Sequence, residues 1–109
     1  MEVIMAENLE QQVVTIIAEA GDSKSYSFEA INAASEGDFD EAQNLLKSAR
    51  DSLLKAHQAH TDLLVADANG GIELNFLIVH ASNHLSIADL SADLAEQFIK
   101  LYERGKTNA

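Results

Sequence analysis

The chain has 109 residues with no cysteine, proline or tryptophan, and its 7 lysines and arginines stand against 18 aspartates and glutamates, a formal charge of −11. That length fits a single domain over 1–109, burying roughly 65% of its unfolded surface as a monomer, and acidity without a basic run excludes nucleic acid and anionic membranes as partners. Disulfides, thiolate metal sites and thiol catalysis fall away with cysteine, no apolar run approaches the roughly 20 residues of a membrane span, and the start of the chain, with three glutamates and no basic residue before Gln11, does not read as a secretory signal. A cytoplasmic folded domain is expected. Without proline, and with aromatics at 6%, long helices are favoured over sheet.

The first predicted helix lies near 6–35, nicked at Gly21-Asp22 and ended by Glu36-Gly37-Asp38. The second, near 39–68, opens on Asp38 with Glu41 three residues later, a capping box with aspartate in the serine position. Its apolar stripe runs Phe39, Ala42, Leu46, Ala49, Leu53, Ala56, His60, Leu63, alternating steps of three and four. After Asn69-Gly70-Gly71 the third helix is expected near 74–104, with Gly105 placed as a C-terminal glycine. Three rods of matched length, roughly 45 Å each at 1.5 Å per residue, make an all-α, antiparallel three-helix bundle.

The third rod carries two stripes. One is Leu77, His80, His84, Ile87, Ser91, Leu94, Phe98, Leu101; the other is Leu74, Ile78, Ala81, Leu85, Ala88, Ala92, Ala95, Ile99, Tyr102. Two adjoining apolar faces need more cover than a lone three-helix hairpin provides, and Ala81, Ala88, Ala92 and Ala95 permit close backbone approach. A homo-oligomer around the third helix is expected, a monomer with a thick core being the alternative.

All four histidines fall between 57 and 84. Folding the second and third rods about Gly70 places His57, His60, His80 and His84 at one height. Between Lys55 and Lys100 there is no lysine or arginine, whereas Asp62, Asp67, Glu73, Asp89, Asp93 and Glu96 lie there. Imidazole can be neutral and nucleophilic, or protonated, near neutral pH. Three readings stay open on pattern alone: a phosphoryl-accepting histidine, His80 with His84 one turn away; a metal site, since pairs at i,i+3 and i,i+4 on facing helices can bring nitrogens to about 2.0–2.1 Å from an ion; and seam-edge histidines with a purely structural role. No glycine-rich phosphate loop or nucleophilic triad is present. Glu7 and Glu10, like Asp89, Asp93 and Glu96, read as solvated faces.

Val79-His80-Ala81-Ser82-Asn83-His84-Leu85 resembles the active-site helix of the lactose/cellobiose-type IIA components of the bacterial sugar phosphotransferase system. Ala20-Gly21-Asp22-Ser23-Lys24-Ser25 resembles the family's break in its first helix, and Gly37-Asp38-Phe39 with Ala42 the start of its second. Ala56-His57 with Thr61, and Leu101-Tyr102-Glu103-Arg104-Gly105, are similar to its later segments. Their common order over most of the chain makes the resemblance specific.

The resemblance implies a homotrimer whose subunits pack into a nine-helix bundle. Each subunit would take a phosphoryl group from the phosphocarrier HPr onto a histidine and pass it to a IIB component, which serves a membrane IIC channel. It implies His80 as acceptor, His84 as a supporting ring and His57 as a further one, with no cofactor and no insertion into the membrane. The cargo is implied to be a β-linked disaccharide such as lactose or cellobiose, although no residue here reads the sugar. Asn83 stands where the family has the aspartate that lies at the trimer axis and can ligate a divalent metal. Three asparagines carry no charge, so no axial metal is expected. Ser82 replaces the family's glutamine, Ser86 its methionine, and His60 a usual glutamine. With no basic residue nearby in sequence, the phosphohistidine is expected to be weakly stabilised, as suits a group meant to leave.

Overall fold

Small and apolar residues alternate by threes and fours along the first third of the chain: Val13, Ile16, Ala20, Ser23, Ser27, Ala30 and Ala34, every one buried. Such a pattern turns one continuous stripe of a helix toward its neighbours. The computed structural model describes residues 2–70, 73 and 75–108, and the side chains among them from Leu9 to Lys106. It has three helices, α1 (Glu2–Ser35), α2 (Phe39–Ala68) and α3 (Phe76–Asn108), and no strand among the described residues. Leu74 and Gly71, assigned above to the third helix and its turn, lie outside the described residues. The rods form an antiparallel bundle of 62 × 18 × 16 Å, with a radius of gyration of 17.0 Å where a compact domain of about 100 residues has about 13 Å. Within it, α1 packs on both partners more extensively than they pack on each other.

The expected break at Gly21 does not form: α1 runs straight through it. A lone glycine costs a helix up to about 1 kcal/mol relative to alanine, and burial of Ile16 and Ala20 before it and of Ser23 and Ser27 after it offsets that. The two serines cross the core with their hydroxyls occupied. Ser23 Oγ donates to the Ala49 carbonyl at 2.7 Å and Ser27 Oγ to the Ser23 carbonyl at 2.9 Å. They separate an apolar cluster around Ile16, Leu53, Leu63 and Leu85 from a second one around Ala34, Leu46 and Ile99.

Gly37, at φ 85°, closes α1. Its N–H donates to the Ala34 carbonyl at 3.0 Å and the Asp38 N–H to that of Ala33 at 2.9 Å, the paired bonds of a Schellman motif. Asp38 then caps α2 by accepting from the Glu41 N–H at 3.2 Å. Only this half of the capping box forms, because Ala33 already takes the Asp38 N–H. Asn75 caps α3, its Oδ1 accepting from the Ile78 N–H at 2.9 Å. Gly105 does not end that helix, which continues to Asn108; in the last turns the Lys106 ammonium rests 5.2 Å over the Phe39 ring.

Of the two stripes on α3, one is core. Ala81, Leu85, Ala88, Ala92, Ala95 and Ile99 are buried. The other is uncovered: Leu77, Ile87, Leu94, Phe98 and Leu101 are all exposed, and so is neighbouring Leu90.

Candidate functional site

His80 and His84 sit one turn apart on the uncovered face of α3. The i,i+4 spacing stacks their side chains along the helix, and the rings meet Nε2 to Nε2 at 3.0 Å. They are perpendicular, with centroids 4.5 Å apart. Phe76, a further turn toward the N-terminus, stacks on the other side of His80 at 6.0 Å with the ring planes 13° apart. His80 is exposed and His84 half-buried in the single chain. Two nitrogens at hydrogen-bond distance require that one of them carry the hydrogen. Each ring thereby sets the tautomer of the other, and the accepting Nε2 is available to an electrophile only when the contact opens.

The four histidines do not gather at one height. His57 bonds instead to Asp89, Nε2 to Oδ1 at 2.8 Å, and no hydrogen bond or ring contact joins His60, half-buried on α2, to the other three. The reason is register. His57 opposite Asp89 and Arg50 bonded to Glu96 at 3.0 Å shift α3 by about six residues, roughly 9 Å at 1.5 Å per residue, from a fold centred on Gly70. The connection runs from Asn69 to Asn75, so the two helices mirror about its middle rather than its start. Among the described residues no group of three or more histidines, aspartates or glutamates is placed to hold a metal ion. Asp89, Asp93 and Glu96 stay on a solvated face and also reach across to α2, Asp89 to His57 and the other two to Arg50.

The tertiary fold also supplies what the local sequence lacks. A cavity of about 520 Å³ lies between α1 and α3, lined by Gly21, Lys24, Ser25, Phe28 and Glu29 with His84. Lys24 therefore shares a cavity with His84, a basic residue that the local sequence around the histidines does not supply. The signal was present in sequence as the spacing of 21, 24, 25 and 28 along one helical face, yet nothing local says that this face meets His84.

The protein-family model for the phosphotransferase system lactose/cellobiose-specific IIA subunit matches residues 11–103, which include every residue lining this cavity and all four histidines. The chain belongs to the lactose/cellobiose-specific IIA family. It is 43% identical over 91 residues to the lactose-specific IIA component of Streptococcus mutans, covering 83% of this chain and 88% of that one. Among solved structures it is similar to the cellobiose-specific enzyme IIA of Bacillus anthracis, with a TM-score of 0.89 and 30% identity over 93% of this chain and 94% of that one. It is also similar to the IIA(Chitobiose) protein solved in complex with HPr from Escherichia coli, with a TM-score of 0.79 and 32% identity over 90% and 96% of the two chains. The three-helix architecture is that of this family, and no helix among the described residues is long and apolar enough to cross a membrane.

Asn83 lies exposed on α3, two residues from both Ala81 and Leu85 of the core stripe and in line with Ile87, Leu90 and Leu94. Divalent-cation affinity rises with the number of anionic oxygens in the site, and an amide adds none. This position does not suit the axial metal that the family resemblance brings with it, and no step below passes through a metal.

Proposed function

We propose that this IIA-family chain is a phosphocarrier that accepts a phosphoryl group from HPr on His80 and passes it to a IIB component during sugar uptake. The observation that carries the reading is an exposed imidazole whose Nε2 is 3.0 Å from that of a second, half-buried imidazole, in a fold shared with a IIA protein solved together with HPr. The transfer balances without an outside reagent. A nitrogen lone pair of neutral His80 forms a bond to phosphorus as the phosphorus–nitrogen bond of the donor's phosphohistidine breaks, and that electron pair returns to the departing ring. One phosphoimidazole and one free imidazole stand on each side. Such a transition state is loose, so the work left to the protein is positioning and charge compensation. His84 positions the His80 ring and fixes its tautomer; the contact opens as the new bond forms. His57, tied to Asp89, takes a place in the α2–α3 contact rather than at the transferring ring.

The exposed apolar row Leu77, Ile87, Leu94, Phe98 and Leu101 supports a homotrimer in which three α3 helices face one another, giving a nine-helix bundle. The charge of −11 favours a donor with a basic docking surface. The sugar stays open among β-linked disaccharides, because the IIA chain meets protein partners, and relatives of this fold are named for lactose, cellobiose and chitobiose alike.

Intact mass after incubation with phosphoenolpyruvate, enzyme I and HPr tests the carrier reading. One phosphoryl group per subunit is expected, and none in His80→Ala. Unchanged mass of the parent protein, with HPr itself phosphorylated, sinks it; so does equal labelling of the variant.

A further inference from the structure

The Ala20–Ser25 segment, which resembles a family feature yet forms no break in the helix, has a different place in the molecule. Its Gly21, Lys24 and Ser25 line the cavity to which α3 contributes His84. Three properties of that lining point the same way. Lys24 makes no ion pair with any described residue, although Glu29 lines the same cavity and the chain carries eleven excess negative charges. The Ser25 hydroxyl, exposed beside it, makes no hydrogen bond among the described residues. At Gly21 a Cβ would meet nothing within 4 Å, so the floor of the cavity is open.

An unpaired ammonium and a free hydroxyl thus border a cavity that His84 also lines, and the His84 ring touches His80. We propose that Lys24, assisted by Ser25, binds the phosphoryl oxygens of the group carried on His80. The inference rests on the carrier reading and supplies the charge compensation that reading requires. A phosphoryl group on the exposed ring carries two negative charges, and an ammonium offers three donors without fixed geometry, which suits oxygens that rotate as the group arrives and departs. Lys24 forms and breaks no covalent bond. Glu29, in the same wall, opposes permanent residence of an anion and keeps the bound group able to leave for the next acceptor.

Two arms decide the matter, both on the full chain. In the first, HPr and this protein are brought to phosphoryl equilibrium, and the phosphorylated fraction and its hydrolysis rate are read by intact mass and ³¹P NMR. Lys24→Gln is expected to move the equilibrium about fivefold toward HPr, the size of a partly solvated charge contact, and to shift the ³¹P resonance. Lys24→Arg restores both, Ser25→Ala gives a smaller change in the same direction, and Glu29→Gln favours the phosphoform. Helix content and melting temperature stay at the parent value, since Lys24 is exposed. An equilibrium, hydrolysis rate and resonance identical in Lys24→Gln and the parent overturn the proposal.

The second arm titrates inorganic phosphate into the unphosphorylated protein and follows amide shifts. Saturable shifts at Gly21, Lys24, Ser25 and His84, lost in Lys24→Gln, support an oxyanion site in this cavity even where no phosphoryl group is accepted from HPr, the outcome that removes the carrier reading alone. No shift at these residues, together with no phosphoryl acceptance, overturns both.

Discussion

Ile87 and Ala88 are neighbours on α3, yet one faces solvent and the other the core, and the substitutions Ile87→Glu and Ala88→Leu should therefore fail in different manners. Ile87 is 48% exposed in the single chain. Covering the remainder in a trimer contributes about 1 kcal/mol per copy, half of the roughly 1.5–3 kcal/mol for burying a whole isoleucine. A glutamate there forfeits this and puts three carboxylates into one apolar seam, at a further cost of several kcal/mol for each ion that is desolvated without a partner. The assembly should dissociate while the monomer keeps its helices. Ala88 has no exposed surface and packs in the cluster with Ile16, Leu53 and Leu85. Leucine at 88 overfills that space, costing about 1–3 kcal/mol, or on the order of 5–15 °C in melting temperature for a chain of this length. Sedimentation velocity, with thermal melts at two protein concentrations, separates the two. The parent should sediment as a trimer and melt higher when concentrated, Ile87→Glu should be monomeric with a melt independent of concentration, and Ala88→Leu should melt lower at both concentrations. A trimeric Ile87→Glu, or a monomeric parent, would refute the assignment of this face.

Three further outcomes follow from particular residues. Gly21→Ala should stabilise the chain by about 0.5–1 kcal/mol, because α1 passes through this position with helical backbone and open space around it; a lower denaturation midpoint in urea would show that α1 bends there in solution. Asp89→Asn removes the partner of His57, and since both side chains are nearly half exposed the loss should be under about 1 kcal/mol with phosphoryl acceptance unchanged; a large drop in acceptance would return His57 to the transferring site. Asn83→Asp would place three carboxylates together in a trimer, so it should lower the melting temperature in chelator and regain it with added Mg²⁺ or Ca²⁺, whereas the parent's melt should be indifferent to both. A parent melt that rises with the ion would contradict the reading of Asn83.

Much of the helical layout was legible because it depends on neighbours in sequence. The stripe from Ala42 to Leu63 is built from steps of three and four residues, and the Asp38 cap reaches only to Glu41. Two local signals misled. Gly21 has the form of a break, but helix burial on either side outweighs its intrinsic cost, and Gly105 lies within a last turn near the Lys106–Phe39 contact. A further local signal is Asn75, which caps α3 and sets where that helix begins.

The sequence by itself determined an all-α chain, the family, and the adjacency of His80 and His84, since four residues on a helix are one turn in any packing. Only the tertiary structure decided what lies across from them. Register between α2 and α3 depends on how the Asn69–Asn75 connection is divided, and a difference of a few residues moved His57 to Asp89. The approach of α1 brought Lys24, 60 positions away in the chain, to the wall of a cavity shared with His84. Side chains set by helical periodicity can be read from the chain; those set by how one rod slides past another depend on packing summed along the whole rod, and no short segment carries that sum.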